Sequence, residues 1–300
     1  MHFAEYQTTA SETDQAPSAS GDSIKSLMIP LLGLAGESGS LLTEYKKYLR
    51  DGPAYRIFQE KIGEEIGDIL WYLANIATKA NLNLDEIAQR NLSKIADRWH
   101  DQKSTLFGVK LFDEGYPVHE QFPRQFEIVV ETNKGRDGKP HVQLFYNKKR
   151  FGDKLTDNAY EDDGYRLHDV FHLAFLAILG WSPVMRGSHF FNCKRKSKDD
   201  VDEIQDGGRA AVIDEAISAL IFLEAKKHSF FEGVNSVEYG ILRTIKDLTA
   251  HLEVGRCSAK QWETAILEGF RIWRALRNHQ SGTIVGDLLG QTISFVPSAH

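Results

Sequence analysis

Two stretches of this chain carry acids at spacings that a helix would turn to one side. The first is Gly33-Leu-Ala-Gly-Glu37-Ser-Gly-Ser40-Leu-Leu-Thr-Glu44; the second is Gly63-Glu64-Glu65-Ile-Gly-Asp68. Residues three, four or seven apart share a helix face, so Glu37, Ser40 and Glu44 line one face, and Glu65 and Asp68 another. Glu64 sits one turn before Asp68. Two such faces turned toward each other gather several negative charges, which repel unless a cation lies between them. Every donor is an oxygen, which suits Mg²⁺ or Mn²⁺ and not zinc. The competing reading is a set of ordinary solvent-facing carboxylates. A lone Glu-x-x-Asp would be read that way; glycine-flanked acids in both helices, beside an apolar stripe, favour the metal site.

A second constellation lies in the C-terminal half. It comprises Gly164-Tyr-Arg166-Leu-His168-Asp169-Val-Phe-His172 and, further on, Gly208-Arg209 with Asp214-Glu215-Ala-Ile-Ser218. His168 and His172 are four apart, so both imidazoles leave one helix face, a common metal-ligand spacing. Two readings stay open. One is a second metal or phosphate site built from His168, Asp169, His172 and Glu215, with Arg166 and Arg209 adding anion contacts. The other is a pair of buried structural histidines bonded to those carboxylates. Gly-x-x-x-His168 also parallels Gly-x-x-x-Glu37, and Glu215-x-x-Ser218 parallels Glu65-x-x-Asp68. That parallel is either a diverged, degenerate second copy of the helical module or a coincidence.

The elements that must hold these groups are mostly helices. Helical spacing is expected over 3–8, 23–50, 55–80 and 84–99, with Asp51-Gly52-Pro53 as a stop and Asp85 at the start of the fourth. Ile62, Ile66, Ile69, Leu73, Ile76 and Ala80 form the expected core stripe of the third. Residues 8–22 read as polar loop. The pattern dissolves between 99 and 124, where a domain boundary is placed. Segments 126–132 and 141–146 alternate as a β-hairpin. Residues 147–164 read as loop, and helices resume at 165–179, 209–226, 236–252 and 259–277. The basic run 194–198, followed by the acidic run 199–206, reads as a solvated loop. The fold expected is mainly α: an antiparallel bundle over 1–100, a linker with a small β-hairpin over 101–164, and a C-terminal helical module over 165–300.

Composition narrows the classes. Asp and Glu number 42 against 36 Lys and Arg, a formal net charge of −6, which argues against a duplex nucleic-acid partner. Cys193 and Cys257 are isolated, so no disulfide framework is expected. No charged-then-apolar leader opens the chain, and apolar runs such as 170–181 are interrupted and short for a bilayer. The expectation is a soluble cytoplasmic protein without a membrane partner.

Residues 3–99 resemble the MazG-like, all-α NTP pyrophosphohydrolase family. The carriers are Phe3-Ala-Glu-Tyr6-Gln7, Gly33-Leu-Ala-Gly-Glu37-Ser-Gly, Lys46-Lys47, Glu64-Glu65-Ile-Gly-Asp68-Ile-Leu-Trp-Tyr-Leu and Arg90-Asn91-Leu-Ser-Lys94-Ile-Ala-Asp-Arg98. The resemblance implies a module, usually a homo-oligomer, that hydrolyses a nucleoside triphosphate to monophosphate and pyrophosphate with Mg²⁺ or Mn²⁺. On that reading Glu37, Glu65 and Asp68 bind metal and Glu64 assists or activates water. Asn91, Lys94, Arg98 and Tyr6 are candidates for contacts to the nucleotide substrate. Lys94 is equally readable as exposed helix charge, and Lys46 and Lys47 are read that way. Trp71 is read as core. The chain departs from the family at Ser40, where a second glutamate is usual. Glu44, one turn on, either compensates in part or is a surface residue. The alternative function is a catalytically weakened nucleotide-binding sensor or assembly protein.

Overall fold

The computed structural model describes residues 1–14, 23–99, 110–135 and 138–298. The rest of the polar stretch (15–22), part of the expected boundary (100–109) and two hairpin-loop residues (136–137) lie outside the described residues. The chain divides into two units, Met1–Ala96 and Asp97–His300.

The first unit is built from α1 (Phe3–Glu12), α2 (Ser23–Asp51), α3 (Phe58–Lys79) and α4 (Leu84–Trp99), the last three residues of α4 belonging to the second unit. α1 runs past the expected end at residue 8. Gln7 ties it down: its amide donates to the Leu82 carbonyl at 2.8 Å and its carbonyl accepts from the Leu84 N–H at 2.9 Å. The cap of α4 is Asn83 and not Asp85, because the Asn83 Oδ1 accepts the N–H groups of Asp85 and Glu86 at 2.8 and 3.2 Å. Asp85 instead accepts the Ala4 N–H. α2 ends at Asp51 and gives way to a 3₁₀ turn at Gly52–Ala54, as Gly52-Pro53 requires.

α2 and α3 run antiparallel, since Gly33 meets Tyr72 near one end while Glu44 meets Tyr55, just before α3, at the other. A Cβ at Gly33 would fall 2.2 Å from the Tyr72 ring, so glycine permits this approach. The expected core stripe of α3 is only partly realised. Ile66 and Leu73 are exposed, and the buried positions are Ala74, Asn75 and Ala77. Trp71 is partly buried and its indole N–H donates to the Thr13 hydroxyl at 2.8 Å. Among the described residues, one helix, over Ser26–Ala54, contains an 18-residue window with a mean hydropathy of 1.2, enough by length and composition alone to cross a membrane.

The second unit carries α5 (Asp169–Leu179), α6 (Gly208–Lys226), α7 (Tyr239–Thr249) and α8 (Ala259–His279). It also holds a five-stranded antiparallel sheet, ordered β3-β2-β1-β4-β5. The hairpin read from sequence is β1 (Gln125–Lys134) and β2 (Pro140–Tyr146), paired with Ile128 opposite Tyr146. Three strands went unread: β3 (Lys149–Leu155), inside the expected loop, and β4 (Gly282–Asp287) and β5 (Thr292–Pro297) after α8. The sheet has no counterpart among the described residues of the first unit. β1 turns Phe126, Ile128 and Val130 inward, where they join the core of α5 and α8 with Phe171, Phe175, Trp262, Phe270 and Trp273. All 11 residues of α5 are buried, as expected for a helix apolar on every side.

The charge run at 194–206 is a solvated loop only in part: Lys196 and Lys198 are exposed, but Arg195 and Asp206 are not. Arg195 and Asp206 are each 1% exposed and form an ion pair at 2.6 Å, and Glu253 reaches Arg195 at the same distance. Desolvation acts against the Arg195 charge, but the carboxylates of Asp206 and Glu253 outweigh it and hold the guanidinium firmly protonated. Arg166 is buried too and is taken up by Asp157 and Asp162 at 2.7 and 2.5 Å, so it is not available as an anion contact.

Candidate functional site

In the first unit, α2 supplies Glu37, and α3 supplies Glu65 and Asp68. One carboxylate oxygen from each lies within 4.8 Å of the other two. The flanking glycines keep the surroundings clear: a Cβ at Gly36, Gly39, Gly63 or Gly67 would meet nothing within 4 Å. Glu65 Oε2 is buried and has no hydrogen-bond partner. Desolvation first, and then the Glu37 charge beside it, push the Glu65 carboxyl above the usual carboxylate range. A buried carboxylate oxygen facing two further acids, with no donor nearby, is what a divalent cation would satisfy. The residues present fit Mg²⁺ or Mn²⁺ in having oxygen donors alone.

Other acids named from sequence stand outside this group. Glu44 is buried, and its two oxygens are held by Lys47 at 2.6 Å and by the Tyr55 hydroxyl. Those two hydrogen bonds hold its carboxyl below the usual range. Glu44 is thus neither a surface residue nor a member of the acid trio; it braces α2 against the turn before α3. Glu64 is exposed and paired with Lys61 at 2.6 Å on its own helix. Asn91 and Lys94 are exposed on α4, and Tyr6 is half-buried on α1. Arg98 is engaged within the second unit. It donates to the Val237 carbonyl at 3.3 Å, with its guanidinium 5.0 Å from the Tyr239 ring and 4.8 Å from Trp99.

In the second unit, His168, His172 and Glu215 converge, one ligand atom from each lying within 4.8 Å of the others. His168 is set by the turn that precedes α5. Gly164 has φ +84°, and its carbonyl accepts the Trp273 indole N–H at 3.0 Å. A Cβ there would lie 2.8 Å from the Trp273 ring. Gly164→Ala is therefore expected to cost about 1–3 kcal/mol through backbone strain and overpacking, read as a lower urea midpoint for the full chain. Tyr165 stacks on the His168 ring at 4.6 Å. His172 is fully buried against Asp214, which also accepts the Ser182 hydroxyl at 2.6 Å. Burial alone would favour a neutral His172, but the Asp214 carboxylate prevails and pushes its pKa up to about 10. Asp214 was legible as half of an acidic pair, whereas Ser182 carried no signal. Arg209 is exposed at the start of α6.

Residues 31–102 match the MazG nucleotide pyrophosphohydrolase domain, and residues 108–299 match the MazG C-terminal domain. The second match alone covers more than half of the chain. The chain belongs to the MazG family. Its pyrophosphohydrolase domain spans the acid trio, since Glu37, Glu65 and Asp68 all fall within 31–102. The chain is also similar to the Gene 37 protein of Mycobacterium phage L5, 38% identical over 101 residues, which is 33% of this chain and 89% of that protein. No solved structure matches. The MazG C-terminal match contains the His168, His172 and Glu215 cluster entirely.

Proposed function

We propose that this MazG-family chain hydrolyses a nucleoside triphosphate, or a related nucleotide, to the monophosphate and pyrophosphate. The observation that carries the reading is the unpartnered, buried Glu65 Oε2 grouped with Glu37 and Asp68. Mg²⁺ or Mn²⁺ bound there would screen the phosphate charges and make water a better nucleophile. Glu37 and Asp68 approach from separate helices, so the α2–α3 packing itself sets the ligand geometry. Glu64 is the carboxylate next to the trio that can accept a proton from the attacking water once its pair with Lys61 loosens. Asn91, Lys94 and Tyr6 are assigned to nucleotide contacts.

The deciding experiment follows pyrophosphate release from a panel of ribo- and deoxyribonucleoside triphosphates with Mg²⁺ or Mn²⁺. Release that stops on adding a chelator and returns on readdition of metal is expected. Tight nucleotide binding without release would instead establish a sensor, the reading that Ser40 favours by leaving the site one carboxylate short.

A homo-oligomer is part of the same proposal. Leu31, Leu32, Leu42, Leu49, Ile66 and Leu92 are all at least 50% exposed, an unusual amount of apolar surface on one small unit. Light scattering on the eluting protein is expected to give a multiple of the chain mass. Leu32→Glu, at a position 66% exposed, is expected to reduce it toward the monomer without unfolding the chain. A monomeric wild type would overturn this. The two buried, unpaired cysteines fit a reducing compartment, and a cytoplasmic location goes with that.

A further inference from the structure

The geometry points to a second metal site in the C-terminal domain, formed by His168, His172 and Glu215, with Asp169 alongside, that takes a divalent transition ion of the zinc class. Each histidine has its Nδ1 committed. The Nδ1 of His168 faces the Tyr165 carbonyl at 3.0 Å, and that of His172 faces the Asp214 carboxylate at 2.8 Å. Both partners can only accept, so both Nδ1 atoms carry the hydrogen. In each neutral ring the Nε2 is then the atom with a free lone pair, and both Nε2 atoms turn to the same place. His172 Nε2 lies 3.4 Å from Glu215 Oε2, and His168 Nε2 lies 3.8 Å from it and 3.7 Å from Asp169 Oδ1.

Those separations are too long for good hydrogen bonds and close to ligand-to-ligand edges. A tetrahedral shell with bonds of 2.0–2.1 Å has edges of about 3.3 Å. Two further observations agree. His172 Nε2 and Asp169 Oδ2 are buried polar atoms without hydrogen-bond partners, and the His172 side chain is fully buried. The Asp214–His172 pair also supplies the carboxylate that characteristically orients a ligating imidazole from behind. Ser182 holds that carboxylate in turn at 2.6 Å. Glu215 is 48% exposed on its side chain, so the cluster opens to solvent on that side, leaving a coordination position for water or a small anion.

The donor set separates this site from the one in the first unit. Two imidazole nitrogens with carboxylate oxygens suit zinc, cobalt or iron, whereas three carboxylates suit magnesium or manganese. The competing arrangement puts a proton on His172 Nε2, aimed at Glu215. Proton and cation contend for the same lone pair, so they can be told apart.

The test uses the full chain, stripped with a chelator and titrated with Zn²⁺ by calorimetry, and with Co²⁺ in the visible. About one Zn²⁺ per chain is expected in the wild type and equally in Glu65→Gln, which disables only the first site. His168→Ala and Glu215→Gln are expected to weaken Zn²⁺ binding at least about 100-fold, and to abolish the nitrogen–oxygen Co²⁺ spectrum. Glu215 is half-exposed, so Glu215→Gln keeps the fold; a melting curve of the metal-free variant matching the wild type verifies this. Absence of zinc binding would overturn the site in favour of the protonated histidine. Zinc binding unaffected by Glu215→Gln, or lost in Glu65→Gln, would overturn it equally.

Discussion

Glu65→Gln is expected to lower the rate of pyrophosphate release by about 10²–10³-fold, the loss typical when one preorganised electrostatic contact to a phosphoryl-transfer centre is removed. The amide keeps the side chain's volume and removes only its charge. In the metal-free protein that charge is opposed by Glu37 and Asp68, so the variant should melt no earlier than the wild type. A large kinetic loss without a stability loss is the signature of a functional acid. Glu44→Gln makes the contrast. It would weaken the pairing with Lys47 and Tyr55, and so act on the fold of the bundle before it acts on metal. Wild-type turnover in Glu65→Gln would remove the basis for placing the chemistry at this trio.

Arg195→Met is expected to destabilise the second unit by up to about 3–5 kcal/mol, because it leaves the buried Asp206 only the longer ion pair with Arg186 at 3.4 Å and removes the cation that pairs with Glu253. Asp206 is 1% exposed and cannot recover the loss from water. For a unit of this size that corresponds to a fall in Tm of roughly 6–20 °C. Lys196→Ala, exposed in the same run, should stay within about 0.5 kcal/mol of the wild type. If the two variants melted together, the buried ion network would have no structural weight.

The contrast between those positions explains what sequence can and cannot carry. Along 194–206 the adjacent basic and acidic runs look like solvated surface, and for Lys196 and Lys198 they are. Arg195 is buried because Glu253, 58 residues on, comes to meet it, and no local pattern encodes that. Strand β4 was missed for a related reason. It pairs with β1 from more than 150 residues away, and its Gly282 and Gly286 weaken the strand pattern. Those glycines accommodate the Phe295 and Phe126 rings, a reason visible only after folding. The helices were legible because their spacing is local. What covers their apolar faces was not, which is why the α3 stripe looked like core yet leaves Ile66 and Leu73 exposed. The acid trio was legible because each helix presents its acids at fixed spacing, and only the α2–α3 contact was left to infer. The burial of Glu44 was not legible because one of its captors, Tyr55, lies past the helix stop.

The complete interment of α5 has a kinetic corollary. With all 11 residues shielded, its amide hydrogens can trade with deuterium only when the entire second unit comes apart. The slowest-exchanging amides in the chain should therefore map to this one segment, and their exchange rate measures the unit's global unfolding free energy without any denaturant.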